Sequence, residues 1–138
     1  GTIEVVATDH APHSEAEKAK GLAGSAFGIV GLETAFPVLY TRLVLEDVLS
    51  LERLVELMSV GPGRLFGLGG TIAPGAPADI AVFDLGARYR IESADFLSKG
   101  HATPFEGWEV QGRNVMTLVD GREVYRDASL GGCGIVGA

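Results

Sequence analysis

The segment 8–13, Thr-Asp-His-Ala-Pro-His, brings one carboxylate and two imidazoles within five residues, at Asp9, His10 and His13. Such a set can supply a metal ligand, a general base or an anion anchor. Residues 5–7, Val-Val-Ala, come directly before it. Their unbroken apolar character predicts a strand buried on both faces of a parallel sheet. Because catalytic groups collect at the carboxyl ends of such strands, a functional site is expected here.

Residue types alone leave a second interpretation of this segment open. An Asp-His pair after a strand can equally cap a helix or hold a loop through hydrogen bonds. The two histidines lie on a loop that contains Pro12, so the i, i+4 spacing of a helical zinc motif is absent. For His10 a structural, hydrogen-bonded role is favoured over a direct one.

The elements that must position this segment are read from apolar spacing and from breaker residues. Residues 14–26 predict a surface loop, with a solvated face formed by Glu15, Glu17, Lys18 and Lys20. Helical spacing predicts a helix near 32–45 that either begins close to Pro37 or is kinked there. Ser50 is a plausible N-cap for a helix at 51–59, which the Gly-Pro-Gly sequence at 61–63 is expected to break.

The second half of the sequence is typical of β-structure. Residues 80–83 predict a short strand, and Asp-Gly at 120–121 between apolar runs predicts a hairpin with a type I′ turn. Phe83, Phe105 and Trp108 are predicted to form the core of this region. Cys133, near the end of the sequence, has no visible partner or activating neighbour.

Composition and charge exclude several classes of function. Eleven basic against 18 acidic residues give a net charge of −7, and no basic cluster indicates a nucleic-acid or anionic-membrane surface. Apolar runs fall far short of the ~20 residues that span a bilayer, and no signal peptide is visible. A single cysteine weakly favours a reducing compartment. We therefore expect a cytoplasmic protein that binds neither nucleic acid nor membrane.

Longer motifs resemble a known family. Residues 6–13, Val-Ala-Thr-Asp-His-Ala-Pro-His, and 27–37, Phe-Gly-Ile-Val-Gly-Leu-Glu-Thr-Ala-Phe-Pro, resemble the bacterial class I dihydroorotases of the amidohydrolase superfamily. Residues 70–84 resemble the small β-domain that follows the barrel there, a motif shared by many cyclic amidohydrolases. Residues 101–105 resemble the family's Asn-Thr-Pro-Phe stretch, with Ala102 in place of Asn. The resemblance runs in order from about residue 3 to 127.

The resemblance implies an α/β fold, the carboxyl-terminal fragment of a (β/α)8 metal-dependent hydrolase barrel followed by a small β-rich domain of β-sandwich type. Residues 1–67 would be the end of the barrel, with its last strand, active-site loop and closing helices. Residues 68–127 would be the β-domain and 128–138 a flexible tail. A barrel alone needs roughly 250 residues, so we expect the carboxyl-terminal third of a longer chain, inactive by itself.

The resemblance also assigns roles to individual residues. Asp9 would be catalytic and a metal ligand, binding zinc and transferring a proton to the ring nitrogen of the substrate. His13 would hold the substrate carboxylate, and the backbone of Phe27 and Gly28 would hydrogen-bond the pyrimidine ring. The family's zinc site is binuclear, and this chain contains only one of its ligands, because the His-x-His pair, the bridging ligand and the later histidines are absent.

The implied function is the reversible, zinc-dependent interconversion of dihydroorotate and N-carbamoyl-L-aspartate in pyrimidine (UMP) biosynthesis. Two alternatives remain open at this stage. One is another cyclic amidohydrolase, an allantoinase or dihydropyrimidinase, against which His13 argues because those substrates lack the ring carboxylate. The other is a non-catalytic, dihydroorotase-like scaffold subunit of aspartate transcarbamoylase. That enzyme and the missing amino-terminal portion are the expected protein partners.

Overall fold

The computed structural model describes residues 2–130, so Cys133 and most of the predicted tail lie outside the described residues. Its helices are α1 (Glu15–Lys18), α2 (Gly21–Gly24), α3 (Ala35–Leu39), α4 (Leu51–Val55) and α5 (Gly61–Phe66). Its strands are β1 (Ile80–Arg90), β2 (Glu109–Val119) and β3 (Arg122–Arg126), with 3₁₀ turns at Ser93–Asp95 and Ala128–Leu130. No helix within residues 2–130 has the length and apolar character needed to cross a membrane.

The helix predicted near 32–45 is confirmed. Helix α3 begins at Ala35 and continues without a break into a π-helical turn at Tyr40–Val44. Pro37 is the third residue of α3, within the first turn, where backbone N–H groups have no partner inside the helix. Its missing N–H therefore costs α3 no hydrogen bond, and Pro37 is buried as part of the helix start.

The second predicted helix is confirmed at its start and wrong at its end. The Ser50 hydroxyl caps α4 by accepting from the Arg53 N–H at 3.2 Å. The expected break at residues 61–63 does not occur, because a π-helical turn at Glu56–Val60 leads directly into α5. Pro62 follows directly on the π-helical turn, where the hydrogen-bond pattern changes from i→i+5 to that of α5 and a residue without an N–H is accommodated. The helix ends instead at Gly67, which adopts φ 68°.

The predicted loop at 14–26 contains two short helices, α1 and α2. Helix α1 begins with a capping box, in which Ser14 accepts from the Glu17 N–H and the Glu17 carboxylate accepts from the Ser14 N–H at 2.9 Å. The Ser-x-x-Glu pattern in the sequence is the signal that predicts such a helix start. The interpretation of 14–26 as a plain loop was therefore wrong.

The predicted strand around residues 5–7 is not formed in the described part of the chain. Val6 donates its N–H to the Leu57 carbonyl at 2.9 Å, and the next regular contact is a single parallel bridge between His10 and Ile29. A β-strand needs at least one neighbouring strand to pair with, and residues 2–130 provide none for this segment. The apolar residues at 5–7 make this segment suited to burial, but they do not supply a neighbouring strand with which it could form hydrogen bonds.

The second half forms one antiparallel sheet in the order β1-β2-β3. The predicted hairpin is confirmed, since Asp120 (φ 49°) and Gly121 (φ 74°) connect β2 to β3 with both central residues at positive φ. The strand predicted at 80–83 extends to Arg90, beyond an irregularity between Asp84 and Arg88. The predicted β-sandwich and the predicted domain boundaries stay predictions.

The sheet packs against helix α3 and its π-helical turn. The Phe83 ring stacks on Phe36 with centroids 3.9 Å apart, and the Thr41 hydroxyl accepts from the Gln111 N–H at 2.8 Å. Phe83 thus joins sheet to helix. Trp108, predicted as core, is 37% exposed, with Arg42 above its ring. The buried apolar core comprises Val30, Tyr40, Leu54, Leu57, Ile91, Val110 and Val115.

The N-cap of α4 gives a test of this helix assignment. Replacing Ser50 by Ala leaves the Arg53 N–H without its side-chain acceptor and should lower the free energy of unfolding by about 1 kcal/mol. Ser59→Ala, which removes a hydroxyl further along the same continuous helix, is the matched control and should change it far less. Urea denaturation measures the free energy of unfolding of both variants, and an equal decrease in the two would contradict the cap.

Candidate active site

The polar segment 9–13 lies beside a second backbone segment, residues 27–31. His10 forms a parallel bridge with Ile29, and the Ala11 N–H donates to the Ile29 carbonyl at 3.0 Å. The two motifs that are most specific in the sequence therefore meet in space, although residues 14–26 lie between them along the chain. This contact places His13 beside Gly28, and Asp9 lies next to the bridge at the exposed edge of the contact.

Glycines permit this close approach. A Cβ on Gly28 would lie 2.6 Å from the Ala11 carbonyl oxygen, and one on Gly31 would lie 2.7 Å from the Thr8 carbonyl oxygen. Gly28 also adopts φ 130°, a conformation that other residues rarely tolerate. Both positions exclude side chains because the neighbouring backbone already fills the space.

Asp9 is exposed and has φ 44°, one of three non-glycine residues at positive φ in the described part of the chain. Asp tolerates the left-handed region better than most residues, but the conformation still carries a cost that its surroundings must offset. Such backbone conformations cluster at functional sites. Asp9 therefore presents its carboxylate from a defined, unusual backbone position.

His10 has the structural role expected from the sequence. Its Nδ1 accepts from the Gly31 N–H at 3.2 Å and from the Leu32 N–H at 3.4 Å. These contacts place the lone pair on Nδ1, so the proton of the neutral ring lies on Nε2. The ring thereby ties segment 9–13 to the turn that precedes α3, and the structural interpretation of His10 is confirmed.

His13 bridges the two sides of the loop that contains α1 and α2. Its Nε2 lies 2.7 Å from the Phe27 carbonyl oxygen, which requires the proton on Nε2, and its Nδ1 lies 3.8 Å from the Glu17 carboxylate. Hydrogen bonds from Ser14, with the charge of His13 adding to them, lower the pKa of Glu17. Both ring nitrogens of His13 thus face groups of this loop.

Phe27 and Gly28 contribute backbone rather than side chains. The Phe27 side chain is 93% exposed, so it forms no core within the described residues. Its carbonyl accepts from His13, whereas the Gly28 carbonyl accepts from the Lys18 ammonium at 2.9 Å. Lys18 was expected on a solvated face and that interpretation was wrong, because the side chain is half-buried and hydrogen-bonded.

A third segment, residues 98–102 of the β1–β2 connection, lies behind the site and was not assigned to it from the sequence. The Val30 N–H donates to the Ala102 carbonyl at 2.9 Å, and the Ser98 N–H donates to the Glu33 carboxylate at 2.8 Å. Gly100 is buried, and a Cβ there would lie 2.9 Å from Pro12 Cβ and 3.0 Å from the His13 carbonyl oxygen. The family-like stretch at 101–105 is the nearest sequence signal.

The described residues do not form a metal site by themselves. Within residues 2–130, no three His, Cys, Asp or Glu side chains come together in a way that could hold an ion, and a zinc centre needs three or four protein ligands. The His10 ring accepts hydrogen bonds from Gly31 and Leu32 through Nδ1, and both ring nitrogens of His13 face groups of the loop. Asp9, exposed at the edge, fits as one ligand of a site whose remaining ligands lie outside these residues.

Comparison with known proteins identifies relatives over nearly the whole chain. The Amidohydrolase family profile matches residues 1–124. Curated proteins named dihydroorotase are 55% identical in Lactiplantibacillus plantarum, over 127 residues, and 55% identical in Bacillus caldolyticus, over 126 residues. Both alignments cover 91% of this chain and 30% of the relative. The chain thus spans about a third of the length of these relatives.

Solved structures of hydantoinases also match this chain over nearly its whole length. The L-hydantoinase (dihydropyrimidinase) of Arthrobacter aurescens matches with a TM-score of 0.86 and 34% identity, over 99% of this chain and 31% of that one. A D-hydantoinase from Thermus sp. matches with a TM-score of 0.86 and 32% identity, over 99% and 30%. The predicted resemblance is therefore confirmed, and the fold is that of a fragment of a metal-dependent hydrolase barrel. The predicted carboxyl-terminal position within the relatives stays a prediction.

The close contact of Gly100 with residues 12–13 can be tested by adding a methyl group at Gly100. Gly100→Ala should lower the free energy of unfolding by about 1–3 kcal/mol, because the added methyl group must displace the backbone of residues 12–13. It should also shift the ¹⁵N resonances of the His13 ring. Gly86→Ala, where the nearest atom is 3.4 Å from the added Cβ, is the control. An unchanged His13 spectrum would contradict the contact.

Proposed function

The chain belongs to the amidohydrolase family, and from this we propose that, within a protein of its relatives' length, it forms part of a zinc-dependent dihydroorotase. The reaction is the reversible hydrolysis of dihydroorotate to N-carbamoyl-L-aspartate in de novo pyrimidine biosynthesis. The 138-residue chain alone is inactive in this proposal, because it supplies one zinc ligand where a catalytic site needs at least three.

The observation that carries the proposal is the contact between segments 9–13 and 27–31. These two segments contain the motifs that resemble dihydroorotases, and they lie against each other through the His10–Ile29 bridge and the His13–Phe27 hydrogen bond. The curated relatives named dihydroorotase are 55% identical, compared with 34% for the hydantoinase structure. That difference favours dihydroorotate over a hydantoin as the substrate.

Asp9 is the proposed catalytic residue. Zinc, when bound, would polarise the amide carbonyl of the substrate and supply the hydrolytic nucleophile. An exposed carboxylate on this edge can bind the metal with one oxygen, take up the proton released in the reaction and pass it to the leaving ring nitrogen. Its presence also favours an enzyme over a non-catalytic scaffold subunit of aspartate transcarbamoylase, the second candidate.

His13 is the proposed anchor for the substrate carboxylate. In the structure its Nε2 donates to the Phe27 carbonyl, which is a neutral acceptor. A carboxylate makes a stronger hydrogen bond than a neutral carbonyl, so the substrate can compete for this donor. Dihydroorotate carries such a carboxylate, whereas hydantoin and dihydrouracil do not.

Phe27 and Gly28 are the proposed contacts to the pyrimidine ring through their backbone. Gly28 lacks a side chain and has φ 130°, so a flat ligand can approach its peptide groups closely.

The proposed domains are the barrel end at 1–67, a β-sandwich at 68–127 and a tail at 128–138. We also propose that the longer protein is located in the cytoplasm and associates with aspartate transcarbamoylase.

Removing the proton acceptor tests the role of Asp9. In the longer protein, Asp9→Asn should lower kcat by about 10²–10⁴-fold, because an amide cannot accept the proton. Asp47→Asn is the matched control, since Asp47 is also exposed and also at positive φ (57°). Turnover of dihydroorotate is measured for both variants. If Asp9→Asn keeps more than about a tenth of wild-type kcat, Asp9 is not the proton acceptor.

Comparing two ring substrates tests the role of His13. In the longer protein, His13→Ala should lower kcat/KM for dihydroorotate by about one to two decades, the cost of one hydrogen bond to a charged group. Residual use of dihydrouracil should change much less. Asp47→Asn, the exposed control of the preceding test, should leave both values unchanged. Equal losses on both substrates contradict the anchor, and a wild-type preference for dihydrouracil favours a dihydropyrimidinase.

A further inference from the structure

We propose that Lys18 is a positioning residue, which orients the backbone of residues 26–29 for binding the ring of the substrate. The inference rests on the proposed function, in which the peptide groups of Phe27 and Gly28 contact that ring. Its physical basis is a pair of hydrogen bonds from one ammonium group to two carbonyl oxygens, those of Ala26 and Gly28, each 2.9 Å long.

Peptide planarity makes these bonds relevant to the ring. The C=O of one residue and the N–H of the next belong to the same plane and point in opposite directions. Because Lys18 holds the Ala26 and Gly28 carbonyls, it also sets the directions of the Phe27 and Ile29 N–H groups. His13 holds the carbonyl between them, that of Phe27. Three successive peptide planes are therefore oriented by two side chains.

Lys18 is itself fixed in place. The capping box holds the start of α1, the Ser25 hydroxyl donates to the Lys18 carbonyl at 2.6 Å, and the Ala26 N–H donates to the Glu17 carbonyl at 3.2 Å. The half-buried ammonium thus projects from a short helix whose two ends are tied to the loop. A fixed donor can orient the peptide planes at little further entropic cost on ligand binding.

Substrate binding affects the hydrogen bonds of His13 and Lys18 differently. In the proposed function the substrate carboxylate competes with the Phe27 carbonyl for His13, so that contact is weakened when the site is filled. Lys18 bonds to the two flanking carbonyls and is not displaced by that competition. Lys18 then keeps residues 26–29 in position while His13 contacts the substrate.

Hydrogen exchange in the longer protein tests the positioning without any substrate. Lys18→Met, which keeps an unbranched apolar chain and removes the donors, should speed exchange of the Ala26 and Val30 amides, which donate to the Glu17 and Ala102 carbonyls at the two ends of this segment, about ten-fold or more. Lys20→Met removes the same charge from the same loop at an exposed position and should leave these amides unchanged. Unchanged exchange in Lys18→Met overturns the inference.

Steady-state kinetics then test the consequence for binding. Lys18→Met should raise KM for dihydroorotate about ten-fold or more, with kcat changed less than about three-fold, since the proton-transfer group is untouched. Lys18→Arg, which retains charged donors, should restore much of the lost affinity, and Lys20→Met should match wild type. A fall in kcat with unchanged KM, or an Arg variant as impaired as Met, overturns the positioning role.

The two proposals fail in different ways. If the wild-type protein prefers hydantoin or dihydrouracil, the dihydroorotase proposal fails, and the KM of Lys18→Met is measured on the preferred ring instead. A ten-fold rise there still supports Lys18 as a positioning residue, because every such ring meets the same peptide planes. If no cyclic amide is hydrolysed, the exchange of the Ala26 and Val30 amides alone decides whether Lys18 holds residues 26–29.

Discussion

The close approach of the backbone segments 8–13 and 27–31 is the constraint on which the rest of the structure depends. Gly28 and Gly31 leave no room for a Cβ, because carbonyl oxygens of the facing segment lie 2.6 Å and 2.7 Å from where it would be. Gly100 applies the same constraint from a third segment. The site is therefore made of peptide groups packed on peptide groups, with few side chains between them.

Backbone packed this closely must be held by hydrogen bonds, and polar side chains provide them. His10 accepts from the turn before α3, His13 donates to the Phe27 carbonyl, and Lys18 donates to the carbonyls on either side. Each of these bonds crosses between two segments that would otherwise move independently. The Asp9 carboxylate is thus presented at the edge of a hydrogen-bonded arrangement, which suits the proton transfer proposed for it.

The β-rich second half of the chain packs against the elements that form the proposed site. The sheet packs on helix α3 through Phe36 and Phe83, and the β1–β2 connection places residues 98–102 behind His13. Changes in that connection reach the site through packing alone. The predicted boundary after residue 67 therefore separates two parts that pack against each other.

The sequence by itself determined the features that arise within a few residues. The Ser50 cap and the Asp120–Gly121 turn follow from local hydrogen bonds and backbone angles, and the motif at 8–13 indicated the proposed site. Only the tertiary structure decided what depends on distant partners. Lys18 looked like a solvated charge, and residues 5–7 looked like a strand. Periodicity and residue type report a preference for burial or charge, but the partner that satisfies it is set by the fold.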